Sequence, residues 1–166
     1  MISRTALLAL ALTLSACGLQ PLYGGGGSGT VAASLRTIEV GPIEGQTGWL
    51  VRNKLVDRLG ESGSAAPAYR LDVKLDDNIT GFGIRGDRAV TRERRTLRAR
   101  YQLVSLANGT VVLDATAGSD AGIDVVSSEY ATVAAEQTAV ERLSEVVADQ
   151  IVSRLGVFAS RTAPSQ

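Results

Sequence analysis

Tyr69-Arg70-Leu71-Asp72-Val73-Lys74-Leu75-Asp76 alternates apolar and charged residues without a break. Successive side chains of an extended strand point to opposite faces. The octet therefore puts Tyr69, Leu71, Val73 and Leu75 on a buried face and the four charged residues on a wet one. A strand with one apolar face needs covering on that face alone, which calls for a two-layer architecture. The flanking segments supply the rest of it.

Upstream, Arg36 to Val40 also alternates, with Ile38 and Val40 on one side, and Gly41-Pro42 ends it. Gln46 to Leu59 has helical spacing. Trp49, Val51, Leu55, Val56 and Leu59 are expected on one broad apolar face, with Arg52, Lys54 and Asp57 elsewhere. Residues 60–67 are rich in Gly, Ser and Ala and read as a loop. Gly81 and Gly83 suggest a bend or bulge late in the second strand.

Downstream, a turn at Arg85-Gly86-Asp87-Arg88 leads into a long strand from Val90 to about Leu106. Asn108-Gly109 is a strong hairpin signal. The partner strand is expected from Thr110 to about Ala117, followed by a loop containing Gly118, Gly122 and Asp124. Ser128 caps the last helix, with Glu129 in its first turn. That helix is read to about Leu155, with Val133, Val140, Leu143, Val147 and Ile151 on one side, and the tail past Phe158 frays. The fold class is α+β, in the order strand–helix–strand–strand–strand–helix. Two helices pack on one face of a four-stranded mixed, mainly antiparallel sheet. The first strand joins in parallel, and the other sheet face is left polar and open.

The third strand carries an unusual set of residues. Arg92, Arg94, Arg98 and Arg100 occupy even positions, while Leu97, Ala99, Tyr101 and Leu103 occupy odd ones. In a regular strand the four arginines form a column on the polar face, about 6–7 Å between alternate side chains. Arg85 and Arg88 sit at the hairpin tip, and Arg95 faces the other way. Residues 85–100 carry seven arginines against Asp87 and Glu93, whereas residues 101–166 carry three basic and eight acidic residues. Arginine recognises phosphate and carboxylate through two parallel donors, so the column and tip suit a multiply anionic ligand or an acidic partner surface. A solvated face fits the column equally well, with Asp72, Asp76 and Asp114 on adjoining strands as pairing partners.

The chain has 166 residues, 17 Lys+Arg against 17 Asp+Glu, no histidine and one cysteine. Without histidine there is no Ser-His-Asp or Cys-His catalysis and no common zinc or copper site. One cysteine forms no internal disulfide and holds no iron–sulfur cluster. No paired-acid or nucleophile constellation stands out, so the protein is expected not to be an enzyme, and to need no metal or dissociable cofactor. Balanced charge argues against nucleic acid as a partner. Other short patterns carry little. Arg85-Gly86-Asp87 is better explained as a hairpin turn than as an adhesion tripeptide. Gly81 to Gly86 fits a dinucleotide-loop pattern but leads into a strand rather than a helix.

The N-terminus reads as an address. Arg4 precedes an apolar run from Ala6 to about Ala16, too short for the roughly 20 residues a bilayer span needs. Leu14-Ser15-Ala16-Cys17 is similar to the bacterial lipobox. That resemblance implies cleavage before Cys17, with the lipid an S-diacylglycerol and an N-acyl group on Cys17; several chains on one residue anchor durably. A plain secretory signal with an incidental cysteine is the alternative. Gly18 after the cysteine, rather than Asp, points by analogy to the outer membrane. Cleavage removes Arg4 alone among charged residues, leaving 16 basic against 17 acidic. The expected organisation is a lipoprotein signal peptide at 1–16, a lipidated cysteine and glycine-rich tether at 17–34, one α+β domain at 35–158, and a flexible tail at 159–166. The run Gly24 to Gly29 gives the tether a reach of roughly 20 Å.

Cys17-Gly18-Leu19-Gln20-Pro21-Leu22-Tyr23-Gly24 resembles the mature start of the LPS-assembly lipoprotein family, LptE. The last helix, from Tyr130 to Gln137 and from Ala148 to Leu155, is similar to that family's C-terminal helix. The resemblance implies an outer-membrane lipoprotein of the lipopolysaccharide translocon. It would sit at the periplasmic side or inside the lumen of an LptD-like outer-membrane β-barrel, plug that barrel, assist its assembly and bind lipopolysaccharide. The alternative is an accessory lipoprotein of a phospholipid-moving envelope transporter. The family motif marks no ligand contacts, so Arg85, Arg88, Arg92, Arg94, Arg98 and Arg100 stand as candidates on the charge pattern alone.

Overall fold

A computed structural model describes residues 29–60, 66–84 and 90–162. The expected signal peptide, Cys17 and most of the expected tether lie outside the described residues, as do Arg85 and Arg88, which the sequence reading put at a hairpin tip. Among the described residues the order is α1 (Thr30–Leu35), β1 (Ile38–Val40), α2 (Gly45–Leu59), β2 (Tyr69–Ile84), β3 (Val90–Ser105), β4 (Val111–Asp124) and α3 (Glu129–Thr162).

The sheet runs β1-β2-β3-β4. β1 pairs in parallel with the start of β2, Ile38 beside Tyr69 and Val40 beside Leu71. β2, β3 and β4 are antiparallel neighbours, with Lys74 opposite Arg100 and Arg98 opposite Gly118. The α+β class, the element order and the mixed sheet agree with the sequence reading. The Asn108-Gly109 turn also forms where expected. Gly109 has φ +71°, a conformation that costs a residue with a side chain, and its N–H donates to the Ser105 carbonyl at 2.8 Å.

Period-two patterning puts Leu71, Val73, Leu97, Ala99, Tyr101 and Leu103 on one face, where all are buried. Val51, Leu55 and Leu59 of α2 and Leu143, Val147, Ile151 and Leu155 of α3 cover that face and are also buried. Both helices thus lie on one side of the sheet. Arg58 of α2 joins them through ion pairs to Glu145 and Asp149 of α3.

Five local features differ from the sequence reading. A short helix, α1, precedes β1 and buries Leu35; it packs on α3. Trp49 does not join the apolar face of α2 but stands 63% exposed. At about 100° per residue, Gly48, Val51, Leu55 and Leu59 form the buried stripe, and Trp49 lies half a turn from Val51. Val133 is also exposed, because burial along α3 begins only at Ala139. At its other end α3 continues past Leu155 to Thr162. Ala159 stays buried there, and the Phe158 ring meets Tyr69 edge-on at 6.0 Å.

The fifth difference concerns β4, which does not stop near Ala117 but continues through Gly118 and Gly122 to Asp124. At Gly118 the glycine marks a close approach rather than a loop. A Cβ there would lie 2.5 Å from Cδ of Arg98 and 2.9 Å from the Leu97 carbonyl oxygen. The cap of α3 does form as read, with the Ala131 N–H donating to the Ser128 hydroxyl at 3.4 Å.

Burial makes an uneven demand on α2. Leu55→Ala should cost about 2–5 kcal/mol of unfolding free energy in urea. Trp49→Ala, at an exposed position, should change it by about 0.5 kcal/mol or less. Equal losses at the two positions would place Trp49 in the core.

Candidate functional site

The open face of the sheet gathers the even positions of β3. The structure confirms one column: Arg92, Arg94, Arg98 and Arg100 are all exposed, and none shares the helix-covered face. The environments of the four differ sharply. Arg92 donates from Nε to Asp124 at 3.1 Å. Arg100 donates from Nη2 to Asp114 at 3.0 Å, and Gln102 donates to the same carboxylate at 2.8 Å. These contacts lower the Asp114 carboxyl below its ordinary value, the Arg100 hydrogen bond most and Gln102 next. Both pairs are largely in water, and such pairs contribute little stability.

Arg94 and Arg98 have no carboxylate within ion-pair distance among the described residues. The Arg94 guanidinium lies 5.4 Å from the centre of the Phe82 ring, a cation–π contact. Arg98 lies flat across Gly118, with Nη1 3.3 Å from the Ser119 carbonyl oxygen. Two main-chain contacts occupy one of its nitrogens and leave its charge uncompensated. A shallow depression of about 440 Å³ lies over Arg98 and Arg100, lined also by Lys74, Asp76 and Thr116.

Of the acids named as pairing partners, Asp114 pairs with the column. Asp72 pairs instead with Arg70 on its own strand at 2.9 Å. Asp76 stands opposite Arg98 in register but forms no ion pair. The column is therefore half neutralised and half free. Phe82 and Gly118 complete the site; the sequence reading put Gly118 in a loop and gave Phe82 no role. The register signal was present: both fall opposite arginines once the strands are aligned.

Arg95 faces the helices, as its odd position requires. It makes a fork of two hydrogen bonds to Asp77, at 2.9 and 2.6 Å, and donates to the Glu136 carbonyl of α3 at 3.2 Å. Thr47 of α2 donates to the same Asp77 carboxylate at 2.7 Å. One half-buried ion pair thus ties β2, β3, α2 and α3 together. The Arg95 hydrogen bond holds the Asp77 carboxyl below its ordinary value, with Thr47 adding to that and burial opposing it. Among the described residues no group of three or more His, Cys, Asp or Glu is placed to hold a metal. No described helix is long and apolar enough to cross a membrane.

A sheet with two helices on one face and an arginine column on the other has close relatives in fold. The family model described as LptE, lipopolysaccharide-assembly, matches residues 35–155. The chain belongs to the LptE family. Lipopolysaccharide assembly is the role that membership brings. A solved candidate lipoprotein from Caulobacter crescentus CB15 is similar at 26% identity and TM-score 0.67, covering 82% of this chain and all of its own. Rare lipoprotein B from Shewanella oneidensis shares the fold at 11% identity and TM-score 0.58, over 75% of this chain and 95% of its own. Lipoprotein B from Nitrosomonas europaea does so at 10% identity and TM-score 0.57, over 74% and 83%. No curated protein matches by sequence.

Two outcomes test this geometry in the LptE-family chain. Gly118→Ala should lift Arg98 off β4 and destabilise the domain by about 1–3 kcal/mol, measured by thermal unfolding and by a structure of the variant. An unmoved Arg98 would mean that the glycine is incidental. Because the Asp77 carboxyl is lowered in the fold, its contribution is complete above the unfolded value of about 3.9 and disappears as pH falls through the folded value. Asp77→Asn should therefore lower stability at pH 7 and flatten its decline below about pH 4. An unchanged acid profile would remove Asp77 from the account.

Proposed function

We propose that the protein is an outer-membrane lipoprotein of the lipopolysaccharide translocon, anchored through acylated Cys17 and acting without catalysis. In this reading it plugs an LptD-like β-barrel, assists that barrel's assembly and binds lipopolysaccharide on its way to the surface. The observation that carries the reading is the pair Arg94 and Arg98, two exposed guanidinium groups without carboxylates on an open sheet face. Lipid A phosphates are multiply charged and accept paired N–H donors from arginine. The depression over Arg98 gives such a headgroup a seat beside the sheet. Family membership supports the assembly role, and the lipobox at Leu14 to Cys17 supports the anchor. Arg92 and Arg100 are instead occupied by Asp124 and Asp114 of β4. Arg85 and Arg88, six and three positions before Thr91 in the same chain, extend the cationic run toward the tip.

Charge-assisted hydrogen bonds are worth about 1.5–3 kcal/mol, so each free arginine removed should weaken binding roughly tenfold or more. Arg94→Gln and Arg98→Gln are expected to weaken lipopolysaccharide binding by that much in a salt-dependent manner, while Arg92→Gln and Arg100→Gln weaken it less. Equal effects of all four, or none, would sink the assignment. The native protein should leave the membrane in mild detergent together with a large outer-membrane barrel. Recovery alone, with normal surface lipopolysaccharide after depletion, would count against the translocon role. Cys17→Ala should free the protein from the membrane fraction unless the barrel retains it.

A further inference from the structure

β1 covers the edge of β2 only from Tyr69 to Leu71. The chain then leaves the sheet at Gly41, whose N–H makes a last bond to the Leu71 carbonyl at 3.0 Å. From Asp72 to Ile84 no strand among the described residues lies beside that edge. In an antiparallel ladder, alternate residues turn their N–H and C=O away from the partner strand. Since Leu71 points its carbonyl toward β1, the alternation turns Val73, Leu75, Asp77, Ile79 and Gly81 outward too. No main-chain partner takes those groups among the described residues. Asp77 reflects this exposure directly. Its side chain is only 19% exposed, yet the residue as a whole is exposed, so the open part is its main chain.

The other edge of the sheet is handled differently. Gln150 of α3 reaches β4 and brackets Gly118, accepting from its N–H at 3.0 Å and donating to its carbonyl at 3.3 Å. That bracket blocks strand addition at the middle of β4. Nothing comparable closes β2. An inward-facing charge on an edge strand is another common block, but Asp77 is already neutralised by Arg95.

The two sides of the open edge have distinct chemistry. On the helix side lie half-buried Leu75 and exposed Ile79. A groove of about 760 Å³ at this edge is lined by Ile43, Glu44 and Leu75 together with Lys74 and Arg100 of the open face. On the other side stands Lys74, exposed and without an ion pair among the described residues, with Arg98 and Arg100 behind it on β3. Asp76 and, at the groove, Glu44 carry no ion pair among the described residues. Two β2 strands paired about Leu75 would gain an attractive contact between Lys74 and Asp76 of the other copy, but Ile79 would then fall on Leu71 of the other copy, where that copy's β1 already sits.

We propose that the edge of β2 from Val73 to Gly81 receives an extended segment of a partner protein as a fifth strand. The segment alternates apolar residues toward Leu75 and Ile79 with acidic residues toward Lys74 and the arginine column. Main-chain hydrogen bonds supply affinity and the alternate side chains supply selectivity. The main-chain pairing does not depend on lipopolysaccharide binding, since Ile79 takes no part in the arginine site, whereas the acidic residues of the segment would meet the same cations.

The probe is a synthetic peptide alternating valine and glutamate, with a valine–lysine peptide as control, added to the full-length chain in detergent. Amide hydrogen exchange at Val73, Leu75, Ile79 and Gly81 should slow at least about tenfold with the glutamate peptide and hardly at all with the lysine peptide. Ile79→Pro removes one outward N–H without touching a β2–β3 bond, and should abolish the effect while lipopolysaccharide binding persists. Should that variant fail to fold, the exposed change Lys74→Glu should weaken the peptide effect several-fold. Equal protection by both peptides, or none by either, would overturn the proposal. So would protection that appears without peptide and tracks a doubling of mass, which would assign the edge to a second copy.

Discussion

The apolar seam between α3 and the inner face of the sheet is what the other features lean on. α3 has 34 residues and β3 has 16, so each is roughly 50 Å long at the usual rise per residue. The helix can therefore follow the full length of the strands. Leu143, Val147, Ile151 and Leu155 meet Leu97, Tyr101 and Leu103 along that line, all fully or nearly fully buried. Because both long helices spend their apolar stripes on one side, the even positions of β3 have no covering layer. The arginine column is thus a consequence of one-sided packing. Charged side chains at those positions keep their water.

α2 is less than half as long as α3, so it covers only part of the inner face. The Asp77–Arg95 pair stands where α2 begins, at Thr47. Beyond it, α3 alone lies over the strands, and its first turns bury no side chain before Ala139. A charge pair in a half-buried position is tolerable because every strong acceptor has a donor: two from Arg95 and one from Thr47. That arrangement carries the sheet from a two-helix core to a more open end, where Ile79 and Phe82 are exposed.

Relatives at 10–11% identity keep this architecture. Such tolerance fits a fold specified by pattern and volume more than by particular side chains. The arginine column is a different kind of feature. Its four members look alike in sequence, yet two are occupied by carboxylates of β4 and two retain free charge. A sequence reading could list the cations but could not sort them, since an arginine's partner is set by which residue the neighbouring strand places opposite it.

Local periodicity was enough to give the α+β class, the order of the main elements, the parallel first strand and the division of β3 into an arginine face and a core face. Those properties follow from the two-residue and 3.6-residue repeats, which act within a single segment. The end of β4, the true face of Trp49 and the extent of α3 were misread, because each depends on contact with a distant segment. Gly118 looked like a loop residue until Arg98 lay across it. Trp49 looked like core until Val51, Leu55 and Leu59 claimed the stripe. Val133 proved exposed and Phe158 packed against the core because only the sheet decides where a helix face finds cover. The sequence by itself determined which residues could share a face. The tertiary structure alone decided which of those faces were covered, which charges were paired and which strand edge was left open, because all three depend on register between segments far apart in the chain.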